Sequence, residues 1–330
     1  MKSSENSSNT PDPVRTLNEG PIPVVSTPVK RTDIPLPGWM KAVALVLSAL
    51  FFISGMFVIL SPAPLLILYF WSGRRWAWMA AFTNSIIVAV ALGSLGFAIY
   101  LVLAVTVALG LGEFIRRKTS LEKSAVFGLV LILGVGAAVV AAYSNLHHLN
   151  PWLELKNDVS SAVDYVAQSS VQNGGTALTP EDLQDWKQGV TTELPSILGV
   201  FSLILIWANL MILMRVNPGQ TRERLGLDAT FTQKWKAPEF LVWPTILMGF
   251  FVLVDVPRVS VVAVNLFKFL MAIYALQGLS ILSFLFDRWK LQKFFKTVGF
   301  VIAVFLMLPL LLSLGFFDLW FDFRGKFRQS

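Results

Sequence analysis

Residues 260–286 read SVVAVNLFKFLMAIYALQGLSILSFLF. Lys268 is the single charge in that run, and about 20 predominantly apolar residues suffice for a helix to cross the ~30 Å hydrocarbon core of a bilayer. The stretch therefore predicts a membrane-spanning helix, and the chain around it must supply neighbours for the polar groups it carries. At 100° per residue Asn265 and Ser283 coincide, Ser280 and Gln277 lie ~60° and ~120° to one side, and Lys268 ~60° to the other. All five fall within half of the circumference, which predicts a polar face turned toward the bundle or a cavity.

The rest of the chain has the same character. Of 330 residues 55% are apolar and 14% charged, against about 45–50% and about 25% in soluble domains, and the mean hydropathy is +0.65. That apolar fraction is enough for roughly nine crossings at ~20 residues each. Disordered, collagen-like and coiled-coil classes are excluded. With no cysteine in the chain, disulfides, thiol nucleophiles and thiolate metal sites are excluded too. His147 and His148 are the only histidines, and adjacent side chains on a regular element diverge, so no metal or cofactor is expected. The net charge of +7 does not call for nucleic acid, because loops on one side of a membrane accumulate Lys and Arg.

Residues 1–38 are rich in Ser, Thr, Asn and Pro and read as a disordered polar tail. Ala42–Leu60 is long enough to act as an uncleaved anchor. Pro62–Trp71 is half-length, at ~15 Å of helix, and reads as short, tilted or re-entrant. Full spans follow at Trp78–Gly93 and Phe97–Phe114, joined by a tight turn at Ser94-Leu95-Gly96, then at Ser124–Tyr143. Residues 145–194 turn polar and mildly acidic. There Trp152, Val159, Ala162, Val163 and Val166 recur at helical spacing, and Thr179-Pro180-Glu181-Asp182 has the form of a helix start. Spans at Pro195–Met214, Phe240–Val254, Ser260–Phe286 and Phe294–Leu314 complete the set.

The fold class is thus an all-α polytopic transmembrane helical bundle of eight to nine hydrophobic segments, one half-length. It is organised as tail 1–38, N-terminal bundle 39–144, extracytoplasmic excursion 145–194 and C-terminal bundle 195–330. Four basic groups, Arg74/Arg75, Arg116–Lys123, Arg215–Lys236 (with Arg222 and Arg224) and Arg288–Lys296, fall on one face and the acidic excursion on the other, which makes the basic face cytoplasmic. A ninth crossing would put Arg324, Lys326 and Arg328 outside, against that rule, unless one late segment does not span.

No phosphate-binding loop, dinucleotide fingerprint, zinc-protease motif or nucleophile elbow occurs, so an enzyme is not expected. Polar groups inside spans are the default functional candidates: Asn265, Lys268, Gln277 and Ser280 as a set, with Asn84 and Asn209 in their own spans. The alternative for each is structural, an amide bridging two helices or a lysine snorkelling to the interface. Glu113 and Asp255 lie near span ends and read as interfacial carboxylates. Trp71, Trp76, Trp78, Trp235, Trp243, Trp289 and Trp320 sit where an aromatic belt would.

Several short motifs fall in a recognisable order. They are Pro62-Ala63-Pro64, Leu194-Pro195, Arg224-Leu225-Gly226, Pro238-Glu239-Phe240 leading into Trp243, Asn265 with Gln277-Gly278, and Asp318-Leu319-Trp320-Phe321-Asp322-Phe323-Arg324. Over about residues 40–325 this order resembles the YybS-like predicted membrane proteins of bacteria, a family of unknown function. The resemblance implies a multi-pass protein of the bacterial plasma membrane. It also implies a distant similarity of the N-terminal half to the substrate-capture subunits of energy-coupling-factor transporters, which bind a small solute and lack an ATPase, although those have about six segments. Two functions follow as expectations: binding or transport of a small solute, or a membrane scaffold that recruits a protein partner through its basic loops.

Overall fold

A computed structural model describes residues 38–148, 150–216, 223, 225, 227, 230–254 and 259–329. The tail up to residue 37, Arg222, Arg224 and Asp255 lie outside these residues. Among the described residues every regular element is helical.

The apolar stretch Ala42–Leu60 is broken in the structure. Helix α1 (Gly38–Ile53) stops at Ser54, and the chain reverses through Ser54–Phe57 into a single 3-10 turn, Val58–Leu60, and α2 (Pro62–Trp71). Ser54 closes the reversal: its hydroxyl donates to the Phe51 carbonyl at 2.7 Å and accepts from the Phe57 N–H at 3.3 Å. Unpaired backbone is costly in lipid, so such a bond substitutes for the missing helix ladder. The two arms run side by side, with Ser48 donating to the Ser61 carbonyl at 2.6 Å and the Phe51 and Phe57 rings 5.8 Å apart. The apolar helices of this hairpin, Ala42–Ile53 and Val58–Trp71, reach only ~18–21 Å. Residues 42–60 are therefore not one continuous spanning helix, and Pro62–Trp71 is the return arm of a short helical hairpin.

A 43-residue helical run, Arg74–Arg116, follows, comprising α3 (Arg74–Tyr100), a π-helical turn and α4 (Thr106–Arg116). It is not straight. Gly93 takes φ 72°, ψ −167°, a region that favours glycine. In a straight helix Asn84 and Tyr100 would stand ~24 Å apart, yet they bond to adjacent residues of α1. The Asn84 carbonyl accepts from the Ala49 N–H, and the Tyr100 and Ser48 hydroxyls pair, each at 2.7 Å. The chain doubles back at Gly93–Gly96, and the run makes two passes.

Helix α5 (Leu121–His147) rises to the excursion, where α6 (Pro151–Gln172) and the start of α7 (Pro180–Val216) form a hairpin tied by Lys187 and Asp164 at 2.7 Å. Asn150 caps α6 ahead of Pro151, and Thr179 caps α7 by accepting the Asp182 N–H at 3.1 Å while donating to the Asp182 carboxylate, a reciprocal cap. Helix α7 runs unbroken for 37 residues through Pro195, so the excursion continues directly into the next span with no break at 194–195.

Beyond it lie α8 (Phe231–Lys234), a 3-10 turn, α9 (Val242–Val254) and α10 (Ser260–Arg288). The chain ends in α11 (Lys293–Phe305), α12 (Leu308–Phe321) and α13 (Phe323–Gln329). Between α11 and α12 the axis bends by 93°, ahead of Pro309. Phe294–Leu314 is accordingly a sharply bent helix pair, termed the second hairpin below, and not a straight span. Both ends return to one place: Lys296 pairs with Asp287 near the end of α10, Gln233 donates to the same carboxylate, and Lys236 lies 3.4 Å from Asp322. The basic C-terminal residues thus gather with the basic connections, which removes the conflict a ninth crossing would create.

With Arg74–Arg116 taken as one run, five helices are long and apolar enough to cross a membrane, or six if the bent α11–α12 pair is counted as one span. That measure does not confirm the count of eight to nine segments. The passes most enclosed by protein are α7 and α10, with 44% and 50% of their most apolar stretches buried against 11–17% elsewhere. They form the central pair; the second hairpin packs on α10, while the first packs mainly on α3 and α4 and touches α7 through its 58–71 arm. Outward faces carry exposed Phe82, Val90, Trp243 and Leu253, as lipid-facing surfaces should.

Candidate functional site

The polar face of α10 divides into two sites, because Asn265 and Gln277 stand ~18 Å apart along the helix. At the excursion end, Asn265 inserts into the backbone ladder of α7 beside Pro195. Its carbonyl accepts the Ser196 N–H at 2.8 Å and its amide donates to the Thr192 carbonyl at 2.9 Å and to Val261 at 2.8 Å. Pro195 has no N–H and disrupts the ladder at this point, so Asn265 occupies groups the helix leaves open. Lys268, one turn on, is exposed and pairs with Glu193 of α7. All the bonding capacity of the Asn265 side-chain amide N–H groups is used.

At the basic end, the α10 polar groups meet the second hairpin. Asp318 of α12 is wholly buried and Arg324 of α13 nearly so, and their charged groups meet at 2.5 Å. The Asp318 carboxylate also accepts from Gln277 Nε2 at 3.1 Å and from the Phe323 N–H at 3.1 Å. Gln277 Oε1 accepts the Ala237 N–H at 2.9 Å, and Ser280 donates to the Trp235 carbonyl at 3.0 Å. Arg324 Nη1 donates to the carbonyls of Gln233 and Trp235 at 3.1 and 3.0 Å. The network fastens three separate chain segments, the 233–237 connection, α10 and the C-terminal hairpin. It leaves two buried donors without partners, Arg324 Nε and Trp235 Nε1.

Close backbone approach makes this possible. A Cβ on Gly315 would collide with the Tyr274 carbonyl, and one on Gly278 with the Leu311 carbonyl, so α12 lies directly on the α10 backbone through paired small residues. Asp318 and Arg324 were not among the sequence candidates. A lone carboxylate in the apolar run 308–321 is the signal that finds them, since such a charge needs a partner.

The secondary candidates are also fully buried. Asn84 holds α1, as described, and donates to Ala80. Asn209 of α7 donates to the Ile59 carbonyl of the first hairpin at 2.8 Å and to Leu205 at 2.7 Å, and its own carbonyl oxygen is buried without a partner. Of the six candidate residues, Asn209 thus retains a buried, unused acceptor. Glu113 takes hydrogen bonds from Tyr69 and Arg116, each at 2.7 Å.

A cleft of about 280 Å³ lies beside the first hairpin, lined by apolar side chains of α1, of the 60–68 arm and by Ile212 of α7. Among the described residues no group of three or more acidic or histidine side chains could hold a metal ion.

Five long apolar helices, with buried amides joining the broken segments to the α7–α10 pair, define a multi-pass helical membrane protein. The chain belongs to the family described as Predicted membrane protein (DUF2232), which matches residues 41–319. No curated protein and no solved structure matches it.

Proposed function

We propose that this protein binds a small solute within the membrane, as a capture subunit or carrier with no ATPase and no enzymatic activity of its own. Its setting would be the bacterial plasma membrane, with the basic end in the cytoplasm. The observation that carries this reading is the pair of interrupted helical elements, residues 38–71, whose return arm touches α7, and residues 293–321, packed on α10. Interrupted helices of this kind are where transporters place their solutes, because the interruption exposes backbone groups that a continuous helix hides. Asn209, joining α7 to the first hairpin with an acceptor to spare, is the side chain we assign to solute contact.

Purification from native membranes followed by mass spectrometry of retained small molecules tests the reading. A stoichiometric solute retained by the native chain and lost in Asn209→Leu supports it. An intact, folded protein that carries no solute and moves none into proteoliposomes contradicts it. The scaffold reading is favoured by a different observation, the exposed Arg215 and Lys236 at the basic end. It predicts a retained protein partner that is lost when Arg215, Lys234 and Lys236 are neutralised.

A further inference from the structure

The cleft beside the first hairpin has the dimensions of one lipid leaflet. It runs along α1 from Trp39 to Phe51, a rise of ~18 Å, where half of a ~30 Å hydrocarbon core is ~15 Å. Its walls are Val43 and Leu47 on one side and Ala63 and Ile67 on the other, with Ile212 of α7 behind. Leu60, next to the hairpin reversal, lines its deep end. Apart from Trp39 at its mouth, every side chain lining it is apolar, and an apolar slot of this kind admits hydrocarbon.

The mouth is chemically different. Trp39, two-thirds exposed, stands at the interface end of α1. At the same end of the hairpin, α2 gives way after Trp71 to Arg74 and Arg75, both exposed. A tryptophan at headgroup level with two arginines is complementary to an anionic headgroup attached to an apolar chain.

We infer that this cleft is a binding site for an anionic phospholipid, one acyl chain lying between α1 and the 60–68 arm and the phosphate held at Arg74 and Arg75. The site does not depend on whether the protein carries a solute. The lipid completes the first hairpin: α1 meets α2 at its Ser48 and Phe51 end, and toward Trp39 the chain fills the space that protein atoms leave between them.

The test uses the full-length protein in vesicles of phosphatidylethanolamine and phosphatidylglycerol doped with phosphatidylglycerol bearing a mid-chain diazirine. After photolysis, mass mapping is expected to concentrate adducts on Val43, Leu47, Ile67 and Ile212. Val43→Trp, which fills the slot from its exposed side, should cut that labelling at least fivefold. Val130→Trp, on the exposed face of α5, should leave it unchanged. Leu47→Trp serves as the second filling variant should Val43→Trp not fold. Arg74→Gln with Arg75→Gln should remove the preference for the phosphatidylglycerol probe over a phosphatidylethanolamine probe. Adducts spread evenly over lipid-facing helices, or cleft labelling undiminished in the filled variants, overturn the site. Equal labelling by both probes in the native chain overturns the anionic headgroup.

Discussion

Replacing Asp318 by Asn leaves the shape of the basic-end network nearly intact and removes its negative charge. Asp318 is 0% exposed and the Arg324 side chain 4%, so the guanidinium would keep its bonds to the Gln233 and Trp235 carbonyls and lose its counter-ion in a buried site. Breaking a buried pair in this way costs about 3–5 kcal/mol, a fall of about two to three and a half decades in the folding equilibrium. A solvent-exposed pair at the same distance would cost ~0–1 kcal/mol. The assay is reversible unfolding in mixed micelles, for the native chain, Asp318→Asn, Arg324→Gln and the double variant. Both single changes should be strongly destabilising, and the double should cost less than their sum by at least ~1.5 kcal/mol. A single-variant cost below ~1 kcal/mol, or strict additivity, would refute the claim that this pair closes the C-terminal hairpin on α10.

Gly315→Leu should detach the second hairpin, because its side chain would have to pass through the Tyr274 carbonyl, whereas Gly134→Leu, at a position with open space around it, should be tolerated; limited proteolysis after residue 290 reads the difference. Asn265→Leu should cost about 1–3 kcal/mol by leaving the Ser196 N–H and Thr192 carbonyl unpaired beside Pro195. Lys268→Ala, which breaks only a half-exposed pair with Glu193, should cost under ~1 kcal/mol; thermal unfolding in detergent compares the two.

The class of fold was legible in the apolar runs, and so were the basic connections, the helix start at Thr179 and the short Pro62–Trp71 segment. The two reversals were not, because hydropathy averages over them. Ser54-Gly55 sits inside a continuous apolar stretch, and only its pairing with Phe51 and Phe57 shows a turn. At Leu306–Met307 the signal was Pro309, which is suited to the first turn of a new helix. The polar residues of α10 were correctly singled out as needing partners, but a helical wheel compresses length, and it merged two networks ~18 Å apart into one face. Asn265 and Gln277 therefore looked like parts of one site when each serves a different neighbour. The conflict over Arg324 was itself informative: a basic tail on the wrong side signalled a segment that returns.

That return is the claim on which the rest depends, and a chain without cysteine makes it directly measurable. Single cysteines at Lys118, Lys296 and Lys326 should all react with a membrane-impermeant maleimide from the same side of sealed vesicles, and a cysteine at Asn173 from the opposite side. Labelling of position 326 from the side of position 173 would mean that residues 293–321 cross the membrane, and would contradict the two-hairpin architecture.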